Sequence, residues 1–251
     1  MPLTEVHLPS QVYLLFTSFA LCTEREECVA LLLGTYTPEP CIAHISTLML
    51  PSLRHEKKRD RVEISDADMT RAIAEADTAH LQVIGWIHSH PHITVLPSHV
   101  DLRTQATHQQ MDDRWFGVIV SCFSGDTNAA QRIQINCFQA TPNAARLEIP
   151  IIVTPGFGKP LDGDVLSKLV GSIPELFFNE ETTSFETSLG VDAAGAHVDR
   201  MTLRYNSNLY IQMLTNLIDK VCGPLLGTMQ LRHERNLKEI QAITRCVVDQ
   251  K

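Results

Sequence analysis

Apolar and polar residues alternate along the first two thirds of the chain in a pattern that predicts short strands separated by helices. Apolar runs bounded by polar or turn residues indicate buried strands, and these cover residues 28–34, 41–50, 81–90, 115–123, 132–140 and 146–154. Apolar positions spaced three and four residues apart indicate amphipathic helices over residues 10–23, 65–80 and 98–112. This order of elements predicts a β-rich core flanked by helices, an α/β (α+β) fold class.

Each of the three predicted helices starts with a serine. Ser10 is a predicted N-cap, because its side-chain oxygen can accept a hydrogen bond from the first helical turn. Ser65 is followed three residues later by Asp68, and Ser98 is followed at the same spacing by Asp101. Both pairs resemble a capping box, in which the serine and the acidic residue bond to each other's backbone N–H groups.

The composition changes after Pro155, where a glycine-containing, linker-like stretch begins. Residues 165–248 show mostly helical periodicity, and Gly223-Pro224 is predicted to interrupt it because proline cannot continue an α-helix normally. We therefore predict a first domain at residues 1–160 and a helical extension at residues 161–251.

Apolar side chains recur on one side of the helices predicted in this extension, at Leu214, Leu217, Ile218, Val221, Leu237, Ile240, Ile243 and Val247. An amphipathic helix must bury its apolar side, and a short helical appendage offers little surface for that purpose. The extension is predicted to bind a partner chain. Packing against its own domain and self-association stay open as alternatives, because the stripe is too short to establish a coiled coil.

Composition limits the class of partner. A chain of 251 residues with 44% hydrophobic content can bury one main core and carry a smaller appendage. The net charge of −8 argues against nucleic-acid binding, which depends on neutralising phosphates.

The seven cysteines form no CxxC pair and several lie in apolar runs, which is typical of reduced core residues. The N-terminal apolar stretch lacks a preceding basic residue and contains Thr17 and Ser18, so neither a signal peptide nor a membrane span is predicted.

Two histidines, His88 and His90, stand at the end of a predicted strand, just before Pro91. Successive side chains of a strand point to opposite faces, so these two imidazoles project from the same side. Asp101 follows eleven residues after His90, at the predicted start of a helix. Two histidines and one carboxylate are the three protein ligands of many catalytic zinc sites, which leave a fourth position for water.

Each part of this pattern has a simpler explanation when taken alone. A His-x-His pair is weak evidence in a chain with eleven histidines, and Ser98 with Asp101 could be a helix cap and nothing more. Glu27 could be a solvated charge in the polar run that precedes the first strand. Further histidines, namely His92, His99 and His108, lack the strand phase of the pair and are assigned no metal role.

In combination, Glu27 before the strand, the HSHP motif at residues 88–91 and Ser98-x-x-Asp101 resemble the signature of the JAMM/MPN+ metalloprotease family. The resemblance covers about residues 5–155. The longer string HSHPHITVLPSHVDLRTQ is similar to the branch of the family whose members are lysine-63-specific deubiquitinase subunits of the BRISC and BRCA-A assemblies. The resemblance implies an MPN/JAMM domain whose central sheet is mostly antiparallel.

The resemblance also implies the roles of the site residues. His88, His90 and Asp101 correspond to the ligands of one zinc ion per chain, Glu27 to the general base that acts on water, and Ser98 to the donor for the oxyanion. A zinc deaminase, another class of zinc hydrolase, is excluded because its P-C-x-x-C motif is missing from the sequence.

Substrate, partner and location likewise follow only from the resemblance. It implies a lysine-63-linked polyubiquitin substrate, a hetero-oligomer formed with an inactive Abraxas-type MPN partner through the C-terminal helices, and a cytoplasmic and nuclear localisation. Two alternatives stay open: a non-catalytic MPN scaffold, and an isopeptidase for another ubiquitin-like modifier. The basic loop at residues 54–61 could face a ubiquitin, but solvation is favoured because exposed charges usually contribute little.

Overall fold

The computed structural model describes residues 3–24, 26–52, 64–124, 132–142, 145–156, 162–189 and 198–249. The chain forms two compact units, Met1–Leu169 and Val170–Lys251. The domain boundary predicted between residues 160 and 161 lies outside the described residues and stays a prediction. The basic loop at residues 54–61 also lies outside them.

The described residues of the first unit form eight strands and the helices that flank them. In chain order these are β1 (Glu5–Pro9), α1 (Ser10–Ala20), β2 (Val29–Thr37), β3 (Ile42–Met49), α2 (Asp66–Thr78), β4 (Gln82–Pro91), α3 (His99–Gln109), β5 (Phe116–Ser124), β6 (Arg132–Ala140), β7 (Arg146–Glu148), β8 (Ile151–Thr154) and α4 (Gly163–Ser167). Apart from the strand predicted at residues 146–154, the predicted strands and helices of this unit are present, with ends that differ by a few residues. The sequence analysis missed β1, although its buried positions alternate with half-buried ones as in a strand.

All eight strands form one mixed sheet in the order β7-β6-β5-β4-β2-β3-β1-β8. Four of the seven strand pairings are antiparallel and three are parallel. The predicted sheet with flanking helices is confirmed. At its centre, β4 pairs in parallel with β5 and antiparallel with β2. The start of β2 therefore lies beside the end of β4, which is where the two histidines stand.

The segment predicted as one strand at residues 146–154 is in fact two strands at opposite edges of the sheet. β7 pairs with β6, whereas β8 pairs with β1. The break falls at Pro150, which has no N–H to donate to a continuing ladder. Its carbonyl accepts a hydrogen bond from Val6 N at 2.9 Å, and the preceding Ile149 donates to Cys137 O at 2.9 Å. Ile149 and Pro150, which are adjacent in the chain, thus bond to strands that lie near opposite edges of the sheet.

Two of the three serines predicted to be helix N-caps are N-caps in the structure. Ser65 and Ser98 cap α2 and α3, and each hydroxyl accepts a hydrogen bond from the N–H of the aspartate three residues later. The prediction for Ser10 is wrong, because Pro9 is the N-cap and Ser10 is the first helical residue. The Ser10 hydroxyl instead accepts a hydrogen bond from Gly156 N at 3.0 Å, which ties α1 to the segment after β8.

Asp68, at the start of α2, is a buried carboxylate with many hydrogen-bond donors around it. It accepts bonds from the backbone and hydroxyl of Ser52 at 3.0 and 2.9 Å, from the Ser65 hydroxyl at 2.9 Å and from Arg71 at 2.9 Å. Burial alone would raise the pKa of Asp68, but the hydrogen bonds from Ser52, Arg71 and Ser65 hold it at about 2, below the ordinary 3.8. The folded state therefore favours the ionised form.

Asp68→Asn is expected to lower the free energy of unfolding by about 2 kcal/mol near neutral pH, because each pKa unit corresponds to about 1.4 kcal/mol. A lowered folded pKa stabilises the protein above the unfolded value of 3.8, and this stabilisation is lost as pH falls toward 2. Denaturant unfolding at several pH values measures the difference. Asp66→Asn, which changes an exposed carboxylate in the same turn, is the control. A deficit for Asp68→Asn that stays constant below pH 4 would contradict the assignment.

Within the second unit, the residues that the structure describes are mainly helical, as predicted. These residues form α5 (Ile173–Ser188), α6 (Arg200–Leu217) and α7 (Gly223–Asp249). The ring of Phe185 stacks on that of Tyr210 with centroids 4.5 Å apart, and Thr182 bonds to the Tyr210 hydroxyl at 3.0 Å, so α5 packs on α6. No helix in the described ranges is long and apolar enough to cross a membrane.

Gly223-Pro224 does not interrupt the last helix, contrary to prediction. Residues Ile218–Cys222 form a π-helical turn that joins α6 to α7 without a break. Proline lacks the N–H of a normal helical bond, and its ring would clash with the carbonyl four residues earlier. The wider π-helical turn relieves that clash, so the chain continues as one helix.

Candidate metal centre

The last residues of β4 place two imidazoles together. The side chains of His88 and His90 are 0% and 2% exposed, and their Nε2 atoms are 3.1 Å apart. β5 runs parallel beside them, with Ile119 opposite His88 and Ser121 opposite His90. The prediction that the two rings share one side of the strand is confirmed.

The start of α3 brings a carboxylate to the same point. Ser98 and Asp101 form a capping box: the Asp101 N–H donates to the Ser98 hydroxyl at 3.2 Å, and the Ser98 N–H donates to Asp101 Oδ2 at 2.6 Å. This reciprocal pair fixes the direction of the carboxylate. Asp101 Oδ1 lies 3.5 Å from His88 Nε2, and Oδ2 lies 3.6 Å from His90 Nε2.

The three side chains fit a divalent metal ion. Ligands at about 2.0–2.2 Å from a tetrahedrally coordinated ion are about 3.3 Å apart. The two imidazole nitrogens are 3.1 Å apart, and each lies 3.5 or 3.6 Å from one of the two Asp101 carboxylate oxygens. The ligand atoms of His88, His90 and Asp101 all lie within 4.8 Å of one another, and no other such group of three occurs in the described part of the chain. Two imidazole nitrogens and one carboxylate oxygen suit a borderline ion with an open coordination position.

The neighbouring groups of the site shift the pKa values of His90 and Asp101 in opposite directions. Burial alone would lower the pKa of His90, but bonds to Asp101 and to the Thr94 carbonyl, with the charge of Glu27, raise it. Burial alone would raise the pKa of Asp101, and the bonds from His88 and His90 shift it far below its ordinary value. The carboxylate is therefore ionised and available as a ligand throughout the physiological pH range.

Glu27 stands at the edge of this group, just before β2. Val29 pairs with His88 in the antiparallel β2–β4 ladder, and continuing that register by two residues places Glu27 opposite His90. The intervening residue is anchored, since Cys28 N donates to the Ser89 hydroxyl at 2.8 Å. Glu27 Oε1 is 3.8 Å from His90 Nε2, and its side chain is 26% exposed. The carboxylate reaches the site from the solvent side, where a base that acts on bound water would have to be.

Ser98 is exposed and lies next to the ligand group through its capping bonds with Asp101. Its hydroxyl accepts the capping bond from Asp101 N and, as a hydroxyl, can still donate its own hydrogen. The structure therefore brings all five predicted site residues together, while the roles of base and oxyanion donor stay predictions. The histidines assigned no metal role, His92, His99 and His108, are not part of the ligand group.

Gln105 was missed by the sequence analysis as part of this region. It is completely buried and bonds to the indole of Trp86, which stacks on the His88 ring at a centroid distance of 4.4 Å. The available signal was its spacing, because Gln105 lies four residues after Asp101 on the same side of α3.

Two protein-family profiles match the sequence. The profile described as JAB1/Mov34/MPN/PAD-1 ubiquitin protease matches residues 2–114, and the BRCC36 C-terminal helical domain matches residues 166–247. The first match covers β4 and the start of α3, and with them the ligand group. Fold and site together define a metallo-isopeptidase domain followed by a helical domain.

Similar proteins match over nearly the whole chain. Proteins named Lys-63-specific deubiquitinase BRCC36 are 34% identical in Xenopus tropicalis, over 97% of this chain and 94% of that protein, and 33% identical in Mus musculus, over 94% and 90%. The Camponotus floridanus protein of that name is 36% identical, over 92% and 88%. The chain belongs to the BRCC36 family.

Proposed function

We propose that this protein is a zinc-dependent deubiquitinase that hydrolyses isopeptide bonds in lysine-63-linked polyubiquitin within a hetero-oligomer. The observation that carries the proposal is the buried His88, His90 and Asp101 group, whose separations suit one zinc ion, with Glu27 beside it. The names of the relatives support the linkage. Cytoplasmic and nuclear localisation stays a prediction from the sequence.

The chemistry can be assigned to residues of this chain. A bound zinc ion polarises a carbonyl and lowers the pKa of water to about 7. Glu27, at the rim of the ligand group, takes a proton from the attacking water and delivers it to the leaving lysine amine. His90 keeps its ring fixed by donating from Nδ1 to Thr94 O at 2.6 Å, which would leave Nε2 available to hold the ion.

Ser98 is the donor to the oxygen that becomes negative as the carbonyl is attacked. Its capping bond with Asp101 holds the hydroxyl beside the ligand group without using its hydrogen. A non-catalytic scaffold has no need for this arrangement of Glu27, Ser98 and three ligands. The geometry therefore favours the enzyme over the scaffold.

Ser98→Ala is expected to keep the metal and lose on the order of 10²–10³ in kcat, the usual effect of deleting one oxyanion donor. The same change also removes a helix cap, which costs about 1 kcal/mol. Ser65→Ala is a matched control, because Ser65 caps α2 in the same way and lies outside the site. Steady-state cleavage with saturating substrate separates the two effects. Near-normal kcat in Ser98→Ala, or an equal loss in Ser65→Ala, would refute the role of Ser98.

A partner is proposed to dock on the helices of the second unit. Neither α6 nor π-helical residues 218–222 bury a side chain. Large apolar side chains are exposed along α6 and α7, including Met201, Tyr205, Ile211, Leu231, Leu237, Ile240 and Ile243. Exposed apolar patches of this kind mark interaction sites, and the matched helical-domain profile covers them. We assign the surface to an inactive, Abraxas-type MPN partner.

Ile240→Glu is expected to prevent partner binding and to lower cleavage to the level of the isolated chain. Ile240 is 58% exposed, so the charge is tolerated in the free protein but is costly once the surface is covered. Lys238→Glu, which also changes the charge at an exposed position of α7, is the control. Co-purification and cleavage rates measure both effects. Unchanged partner binding by Ile240→Glu would remove this stripe from the interface.

The proposed function is tested with ubiquitin dimers of different linkages, incubated with the full chain alone and with the partner. The expected result is preferential cleavage of lysine-63-linked dimers that increases when the partner is added. Cleavage of another ubiquitin-like modifier in preference to ubiquitin would establish the alternative substrate. Absence of cleavage of any substrate with the partner present would establish a scaffold.

A further inference from the structure

The two histidines of the ligand group are held in different ways. His90 donates from Nδ1 to Thr94 O, a bond that fixes both its tautomer and its ring plane. The Nδ1 atom of His88 is buried and has no hydrogen-bond partner among the described residues. Metal-binding histidines nearly always have such a partner, because it sets the direction of the ligand atom. Something else must orient the His88 ring.

The indole of Trp86 supplies that support. It lies on the same side of β4 as His88, and the two rings stack with centroids 4.4 Å apart and planes 15° apart. Gly117 of β5 also confines the indole, because an added Cβ at that position would lie 2.9 Å from Trp86 Nε1. The plane of the His88 ring is therefore set by the position of the indole.

Gln105 fixes the indole in turn. Trp86 Nε1 donates to Gln105 Oε1 at 2.8 Å, and Gln105 Nε2 donates to Trp115 O at 2.7 Å and to Gln109 Oε1 at 2.9 Å. An indole nitrogen can only donate, so the amide must present its oxygen to Trp86. Both amide hydrogens and the oxygen are used, and the side chain is completely buried. The amide therefore has one orientation.

Two side-chain contacts link β4 to α3: His88 with Asp101, and Trp86 with Gln105. Asp101 and Gln105 are the buried residues of α3, one helical turn apart, and they face His88 and Trp86, two residues apart on β4. In the first contact both residues are predicted metal ligands, and in the contact of Trp86 with Gln105 neither residue is. The second contact holds α3 at the distance from β4 that the first requires.

We infer that Trp86 and Gln105 are positioning residues of the metal centre, acting through the plane of His88 and the placement of Asp101. The inference rests on the proposed function, in which that group binds zinc. It predicts that Gln105 affects the affinity for zinc although its amide bonds to Trp86, Gln109 and Trp115 and is not one of the ligands. A residue that only stabilises the fold would leave that affinity unchanged.

The test measures the dissociation constant for Zn²⁺ in the full chain by competition with a chromophoric chelator. Gln105→Met keeps the side-chain length and removes the hydrogen bonds, and Zn²⁺ affinity is expected to fall by about 10–100-fold. Gln139→Met is the matched control. Gln139 is another buried amide that bonds to Trp115 O, at 2.9 Å, but its amide hydrogens go to Trp115 O and Asp113 O, whereas the Trp86 indole bonds to Gln105. Its replacement is expected to lower stability and leave the affinity for Zn²⁺ unchanged.

Trp86→Phe provides a second variant, which keeps a stacking ring and removes the indole N–H. It is expected to weaken Zn²⁺ binding as Gln105→Met does, and the double variant is expected to show little further loss, because both residues act through one contact. Wild-type affinity in both single variants, fully additive losses, or an equal loss in Gln139→Met would overturn the inference alone. A wild-type chain that does not bind Zn²⁺ would overturn the proposed function, and this inference with it.

Discussion

Asp101→Asn is expected to leave the protein folded, without its metal ion, and with isopeptide cleavage at the background rate. Asparagine has the shape of aspartate and can still accept the 2.6 Å bond from Ser98 N, so the start of α3 is preserved. It lacks the negative charge that pairs with His88 and His90. Without the ion, the reaction loses both the polarised carbonyl and the activated water.

Asp68→Asn is the matched control for Asp101→Asn. Both aspartates are buried, and both lie three residues after the serine that caps their helix. Metal content by elemental analysis and cleavage rate are measured for the two variants. The control is expected to lose stability and to keep its metal. A full equivalent of metal in Asp101→Asn would remove Asp101 from the ligand set.

Glu27→Gln is expected to keep the metal and lose on the order of 10²–10⁴ in kcat, the usual contribution of a positioned general base. The side chain lies 3.8 Å from His90 and outside the group of three ligands, so the ion does not depend on it. An amide of the same size cannot accept and deliver a proton. Retained metal with lost turnover distinguishes a base from a ligand.

The neighbouring Glu26 gives the control for Glu27, because it belongs to the same acidic run and is half-buried. Glu26→Gln is expected to cleave at the wild-type rate. Metal content and single-turnover cleavage are measured for both variants. Cleavage by Glu27→Gln within a few-fold of wild type would refute the proposed mechanism and return Glu27 to the status of a solvated charge.

The ligand group was predictable because its signals are local. A strand has a side-chain period of two, which is enough to bring His88 and His90 together. The Ser-x-x-Asp spacing predicted the helix starts at Ser65 and Ser98, and both capping bonds are present. Locally these two pairs are the same motif. Only the nearby His-x-His pair distinguishes the metal ligand from a helix cap.

Features that depend on distant pairing were less predictable. Glu27 reaches His90 only because β2 and β4 are antiparallel in one register, a relation between segments about sixty residues apart that no local pattern contains. β7 and β8 read as one apolar run, yet they pair with strands at opposite edges of the sheet. The hydrogen bond of Trp86 with Gln105 likewise requires α3 to lie against the sheet, where it packs on β5 and β6.

The prediction that Gly223-Pro224 interrupts the helix was wrong because the sequence does not show how the backbone adjusts to a proline. Gly223-Pro224 carries the usual signal for the end of a helix, and the helix continues through a π-helical turn instead. The sequence shows that a normal helical bond is lost at Pro224. It does not show whether the backbone responds by ending the helix or by widening one turn.

The most direct test of the central claim is a zinc titration of the metal-stripped full chain, assembled with its partner, with cleavage of lysine-63-linked ubiquitin dimers as the signal. The account predicts no cleavage after chelation and recovery that is complete at one Zn²⁺ per chain, with no recovery in Asp101→Asn. Cleavage that persists in the stripped protein, or that returns equally in Asp101→Asn, would contradict a catalytic metal at His88, His90 and Asp101.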